Sequence, residues 1–222
     1  MLDKCAMKVN TDGVLLGAWA DVTGANTILD IGTGTGVLAM MLAQKNQQAH
    51  IDAIDIDEAA CLQAGENFDA CLWQNRLSVY HVSLQDFSTE CLYDVIISNP
   101  PYFIDDSNGL DQRKNFAKHS ITITYEDLVA GIDRLLAAEG RAFIVLPLFN
   151  LSIFKSLALA CPLHITQCTE VTAVTGKSAY LALIELRREK TSYITTHLQI
   201  QNTDNTFTGQ YKGLTRDFYL KF

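Results

Sequence analysis

The sequence predicts an α/β fold: a doubly wound, Rossmann-like, mostly parallel sheet of seven strands. Three observations carry this. Short apolar runs alternate with longer helix-like stretches over residues 27–146, the pattern of strands joined by crossover helices. A glycine-rich turn follows the first run and opens a helix, the usual place for a ligand turn in an open sheet. Two further strand-like runs follow Pro162.

In chain order, residues 27–31 read as a strand, 37–44 as a helix, 50–56 as a strand, 58–71 as a helix and 77–82 as a strand. Residues 93–98 form a buried strand, 125–138 an amphipathic helix and 142–146 the fifth strand. Runs 165–171 and 179–186 complete the set, the second almost continuously apolar. Parallel neighbours in such a sheet are joined by right-handed crossovers. Residues 1–22 read as an N-terminal covering segment, and 187–222 as a polar, basic extension ending in aromatic residues. The whole of 1–222 is expected to be one domain, because that length suits a single core.

Composition excludes several classes. With 48% hydrophobic and 19% charged residues, the chain is an ordinary globular one. Its longest apolar run, residues 142–149, has strand length, well below the ~18 residues of a membrane span. The N-terminus lacks the basic-then-apolar layout of a secretory signal. A cytoplasmic, monomeric protein with no membrane partner is expected. The six cysteines form no C-x-x-C pair, and no histidine stands at zinc-ligand spacing from two of them. Reduced thiols that pack as small hydrophobes are expected, and no metal.

The formal net charge of −8 is unevenly spread. Residues 1–186 hold 11 basic and 22 acidic side chains, whereas 187–222 hold six and three. An acidic body disfavours indiscriminate nucleic-acid binding, which depends on phosphate neutralisation. It leaves room for local cationic sites. One is Arg113-Lys114 with Lys118-His119, in a stretch without acids; the other is the tail around Lys212 and Arg216.

The glycine turn reads Asp30-Ile-Gly32-Thr33-Gly34-Thr-Gly36. Glycines let the backbone approach a ligand and adopt positive φ. Val37 stands where a dinucleotide fold wants its third glycine. A carboxylate at Asp30 sits poorly beside a pyrophosphate but suits a ligand bearing an amino group and a sulfonium. S-adenosylmethionine is therefore favoured over NAD. Asp55 lies 19 residues after Gly36, about where an acid accepts both ribose hydroxyls. Ile56 adjoins it, and Asp57 suits the N-cap of the following helix. Past the third strand, either Ser83 or Asp86 can meet the adenine of the cofactor, and the sequence does not choose between them.

The reacting group follows the fourth strand as Asn99-Pro100-Pro101-Tyr102-Phe103. Consecutive prolines make a rigid corner. At the end of a strand beside the first, the corner acquires chemistry. An exocyclic amine on adenine is a poor nucleophile, because its lone pair is delocalised into the ring. The Asn99 amide oxygen and the Pro100 carbonyl are two acceptors for its N–H groups, and Pro101 adds no competing donor. Tyr102 and Phe103 offer faces for an extruded base. Methyl transfer then depends on orientation rather than on a strong base.

With these motifs, the chain resembles the class I S-adenosylmethionine-dependent methyltransferases of the Asn-Pro-Pro-Tyr amino-methylating group. More narrowly, it is similar to the bacterial valine-tRNA adenine-N6 methyltransferases. The stretch from Cys5 to Trp19, the glycine turn with Asn99–Tyr102, and the tail from Leu214 to Leu220 carry the match. The resemblance implies tRNA as partner and methylation of the adenine 3′ of the anticodon, at position 37. It also implies that Asp30, Gly32, Gly34 and Gly36 are the methionine-end loop, Asp55 the ribose ligand and Asn99 to Tyr102 the amine clamp. At the third-strand end, Ser83 stands where many relatives of the wider class carry Asp. The chain begins four residues ahead of the Cys5 stretch, where relatives usually extend further. Alternatives with the same chemistry act on a protein glutamine, DNA adenine or rRNA; a silent RNA-binding scaffold is the alternative of another class. The first two usually bring an added domain for which this length leaves no room. An intact Asp30, Asp55 and Asn99–Tyr102 set argues against the scaffold.

Lys8, Thr11, Asp12 and Trp19 fit two roles equally, a helix covering the core or a segment closing over the cofactor. Trp73 is expected to pack in the body of the protein.

Overall fold

The computed structural model describes residues 11–101 and 123–219. Its elements are α1 (Thr11–Trp19), β1 (Thr27–Ile31), α2 (Val37–Lys45), β2 (His50–Asp55), α3 (Glu58–Asp69), β3 (Leu77–His81) and β4 (Tyr93–Ser98). Then follow α4 (Tyr125–Leu135), β5 (Leu136–Pro147), α5 (Leu151–Ala158), β6 (His164–Val174), β7 (Leu181–Arg187), β8 (Ile194–Gln201) and α6 (Gly209–Thr215).

The strands form one sheet in the order β3-β2-β1-β4-β5-β7-β6-β8. The first five are mutually parallel, β7 is antiparallel to both neighbours, and β6 and β8 are parallel. The doubly wound, mostly parallel expectation is met, with one correction: eight strands are described, not seven. The added strand, β8, lies in the extension 187–222. Its first four residues are all exposed, so the alternation that marks a strand is missing from its sequence.

Side chains alternate across the sheet as the pleat demands. Ile28, Ile51, Val95, Ile97, Phe143 and Leu183 face one core, shared with α1, α2, α3 and α6. Leu29, Ile54, Ile96, Ile144 and Ile184 face the other, filled by α4 and α5. Asp52 also faces this second layer, where it accepts a 2.7 Å hydrogen bond from the Tyr93 hydroxyl. Trp73 packs, partly buried, against the first core as expected.

Local chemistry sets the ends. Asp57 caps α3 by accepting from the Ala59 amide at 2.9 Å, as its spacing predicts. Thr124 and Asp127 form a capping box at α4. That helix ends at Leu135 rather than 138, because β5 begins at Leu136 and irregularly pairs with β4 before Arg141. Thr11 and Asp12, each suited to cap α1, both lie inside it. Lys45 closes the other end of α1, donating to the carbonyls of Gly17 (3.1 Å), Ala18 (2.7 Å) and Ala20. Arg76 does the same for α2 through the carbonyls of Ala43, Asn46 and Ala49. Both cations answer the unsatisfied carbonyls and negative dipole end of a helix.

Among the described residues no helix is long and apolar enough to cross a membrane. Five cysteines there are free: Cys61 and Cys168 are buried, Cys71 and Cys161 partly so, and Cys91 exposed.

Candidate active site

The carboxyl ends of β1, β2 and β4 meet at one edge of the sheet. Between β1 and α2, Gly32, Gly34 and Gly36 all have positive φ, at 71°, 57° and 80°. Any other residue there is strained. Gly36 has a second reason: a Cβ would lie 2.4 Å from Cε1 of Phe68 on α3. The amides of Gly32 and Thr33 donate to the Ile54 carbonyl at 2.9 and 3.1 Å, which draws the loop onto β2.

Asp30 is fully buried under this loop. Its Oδ2 accepts from the Thr33 hydroxyl at 2.6 Å and the Ala39 amide at 3.2 Å. Its Oδ1 has no partner, alone among buried side-chain oxygens and nitrogens of the described residues. Burial, helped by the nearby Asp55 charge, pushes its carboxyl up to about 7. Asp55, half-buried at the end of β2, accepts from the Gly34 amide at 2.8 Å and, through its other oxygen, from the Asp57 amide at 3.0 Å. Each carboxylate oxygen keeps a lone pair for a further donor. Ile56 is half-buried beside it.

Past β3, Ser83 and Asp86 prove to be partners. The Ser83 hydroxyl donates to Asp86 Oδ2 at 2.7 Å and accepts from the Asp86 amide at 3.1 Å. The alternative between them becomes one small turn, in which Ser83 orients Asp86.

At the end of β4, Ser98 is buried and donates to the Ile31 carbonyl at 2.8 Å. That bond ties the start of the proline corner to the start of the glycine loop. Pro100 is buried, while Asn99 and Pro101 are half-buried. Sequence reasoning passed over Ser98; a hydroxyl closing an otherwise apolar strand is the signal that could have found it. It also passed over Asp94, whose carboxylate accepts from the amides of Asn26 and Thr27 at 2.7 and 3.2 Å and fixes the other end of β1 against β4.

Tyr102, Phe103, Arg113, Lys114, Lys118, His119 and Lys8 lie outside the described residues. Lys212 lies on α6 and Arg216 just past it; both are exposed, and Arg216 stands 3.5 Å from Asp217. The structure brings Asp30, the three glycines, Asp55 and Asn99-Pro100-Pro101 to one edge, and packs α6 against α1 and β8.

The donor set fits S-adenosylmethionine. Two carboxylates lie close enough for one to raise the other, and one holds a buried oxygen without a donor. A cationic ligand relieves both strains by charge attraction, whereas a pyrophosphate worsens them. Fold and site together define a Rossmann-like methyltransferase that uses S-adenosylmethionine.

A family model described as methyltransferase small domain matches residues 10–147. The chain belongs to that family. It is 42% identical over 219 residues to a protein of Bacteroides thetaiotaomicron named tRNA1(Val) (adenine(37)-N6)-methyltransferase, covering 98% of this chain and 92% of the relative. A Parabacteroides distasonis protein of the same name is 41% identical, with 99% and 93% covered. Among solved structures, a predicted O-methyltransferase from Agrobacterium tumefaciens superposes with a TM-score of 0.72. At 15% identity, covering 92% of this chain and 95% of that one, it shows the shared fold.

Proposed function

We propose that this protein transfers the methyl group of S-adenosylmethionine to the N6 amine of an unpaired adenine in tRNA, the adenine at position 37 of valine tRNA. The observation that carries the reading is the Asn99-Pro100-Pro101 corner, bonded through Ser98 to the end of β1 beside the glycine loop. Full-length similarity to two relatives named for that reaction supports the substrate.

When bound, S-adenosylmethionine supplies an electrophilic methyl group on a sulfonium. The chain's own residues do the rest. Asp55 accepts the ribose hydroxyls while holding the loop by its Gly34 contact. Asp86, oriented by Ser83, meets the adenine of the cofactor. Thr33 holds Asp30 in place. The Asn99 amide oxygen and the Pro100 carbonyl accept the two N–H bonds of the target amine, which localises its lone pair toward the donor. The excess proton leaves after charge has developed on nitrogen, so no strong base is needed. Tyr102 and Phe103 stack the base, and the cations Arg113, Lys114, Lys118, His119, Lys212 and Arg216 meet the RNA backbone. Residues 1–222 act as one methyltransferase domain, a metal-free monomer in the cytoplasm.

Incubation with labelled S-adenosylmethionine and separate pools of tRNA, rRNA, DNA and protein tests this. Label is expected in tRNA, as N6-methyladenosine at position 37. Label confined to protein glutamine, to DNA or to rRNA transfers the same chemistry to another substrate, and no label in any pool leaves the scaffold reading.

A further inference from the structure

The turn that carries Asp86 is held from α4, a helix that the mechanism above does not use. Residues 83–87 make one closed turn, in which the Phe87 amide donates to the Ser83 carbonyl at 2.9 Å. Leu84 and Phe87 are buried in the second core, whereas Ser83 is half-buried and Asp86 exposed. A turn this short ends in carbonyls that have no partner inside it.

Two residues of α4, three positions apart and so on one face of the helix, meet that turn. The Arg134 guanidinium donates to the Leu84 carbonyl at 2.6 Å and to the Phe87 carbonyl at 2.7 Å. These carbonyls bracket Asp86 in the chain, so the planar fork fixes the backbone on both sides of it. Gly131 makes the close approach possible: a Cβ there would lie 2.4 Å from Cδ2 of Leu84 and 2.7 Å from its Cγ. Glycine inside a helix is less stable than alanine, and here it gives the turn room to seat. Lys45 and Arg76 close the ends of helices, whereas Arg134 closes a turn whose outward side chain is a candidate ligand. Ser83 occupies Oδ2 of that side chain, which leaves Oδ1 for a further donor.

We propose that Arg134 is a positioning residue for recognition of the cofactor's adenine. By fixing the backbone at Leu84 and Phe87 it holds the Asp86 carboxylate where it accepts from the 6-amino group of the base. The base selected is a purine with an exocyclic amine, since a carboxylate accepts and does not donate. Without the fork, Asp86 has to be ordered as the cofactor binds, and that cost falls only on a ligand that uses it. The proposal rests on the reading of Asp86 above and adds what makes that side chain selective.

Calorimetry with S-adenosylhomocysteine, and with its analogue bearing hydrogen in place of the 6-amino group, tests this alongside thermal unfolding. Wild type should prefer the amine by about 10- to 150-fold, the span of one hydrogen bond to a charged acceptor. Arg134→Ala should lower the affinity for S-adenosylhomocysteine by about 2- to 10-fold, the cost of ordering one side chain on binding. Its affinity for the analogue should stay as in wild type. Arg134 is exposed, so the variant is expected to fold. Arg134→Lys, which reaches one carbonyl at a time, should fall between the two. Asp86→Ala should lose the preference, and adding Arg134→Ala to it should change neither affinity. A wild-type preference in Arg134→Ala and Arg134→Lys overturns the positioning role. Equal weakening of both ligands also overturns it, because the pocket has then loosened as a whole. If Asp86→Ala loses the preference in those cases, only the role of Arg134 falls. If wild type shows no preference, or Asp86→Ala keeps it, the adenine contact lies elsewhere and the proposal falls with the reading of Asp86.

Discussion

The two halves of the sheet are held together by different means. From β3 to β5 the strands are parallel and tied at their carboxyl ends by features that few residues can supply: three glycines in the left-handed region and a buried carboxylate with an unpartnered oxygen. From β7 to β8 the strands change direction and ordinary groups do the work. Thr169 and Thr196 share a hydrogen bond at 2.7 Å across β6 and β8, and Thr208 caps α6 through the Tyr211 amide at 3.1 Å. Such demands concentrate where a ligand must be met closely. The second half has left-handed residues too, Gly176 (φ 83°) and Asn205 (φ 64°), but both sit in exposed turns away from the cofactor loop.

The contrast is tested most severely at Gly36. Gly36→Ala forces a side chain into a left-handed residue and against Phe68. Backbone strain of ~1–2 kcal/mol and overpacking of ~1–3 kcal/mol should together cost about 3–4 kcal/mol of stability. Denaturant titration reads this directly, and a loss under 1 kcal/mol would show that the loop is free to move.

Asn99→Ala should come next, through rate rather than stability. Removing an acceptor felt mainly in the transition state, at ~3 kcal/mol, lowers kcat on the order of a hundredfold. S-adenosylmethionine affinity should stay near wild type. A loss of cofactor affinity with normal turnover would move Asn99 from the amine to the cofactor.

The parallel half is legible in sequence because each of its strands is an apolar run with a marked end. Asp30, Asp55 and Asn99 each close such a run, and a parallel sheet places those ends together. β8 is hidden because an edge strand with one solvated half reads as polar text. A groove that Tyr180 and Tyr211 both line is hidden for another reason. Tyr180 and Tyr211 are 31 residues apart in the chain, and only the β5-β7-β6-β8 order brings them together. The Ser83–Asp86 turn shows a third limit: two candidate ligands three residues apart were rivals on paper and are bonded in the fold.

The buried carboxylate of the first half makes stability depend on pH. Asp30 titrates near 7 in the fold against 3.8 in the unfolded chain. Between about pH 4 and 7 the folded state binds the extra proton, so this group's contribution to stability falls as pH rises and levels off above 7. Asp30→Asn removes that slope. From pH 5 to pH 8 the variant should gain about 2–3 kcal/mol on wild type. Binding of cationic S-adenosylmethionine should run the other way, tightening in wild type as pH rises through about 7. Parallel slopes for the two proteins would mean that Asp30 is already ionised at pH 5.

Asp55→Ala should weaken cofactor binding by ~1–2 kcal/mol for the lost ribose hydrogen bonds, about 5- to 30-fold by calorimetry. A small loss of stability should accompany it, since the Gly34 and Asp57 amides lose their acceptor. Unchanged affinity would shift the ribose role to Asp57, the next carboxylate along.

Gly213 on α6 supplies the opposite outcome. A Cβ added there meets nothing within 4 Å, and its φ is not among the positive ones. Glycine within a helix is less favourable than alanine by roughly 0.5–1 kcal/mol, because the unfolded chain loses more freedom on folding. Gly213→Ala should therefore stabilise the protein by about that amount and raise the unfolding midpoint by ~1–4 °C. The same substitution thus lowers stability in the cofactor loop and raises it in α6. Thermal and denaturant unfolding of the two variants side by side measures that difference in sign. A destabilised Gly213→Ala would mean that α6 is held as tightly as the glycine loop, and the division of the sheet into a demanding half and a permissive half would not stand.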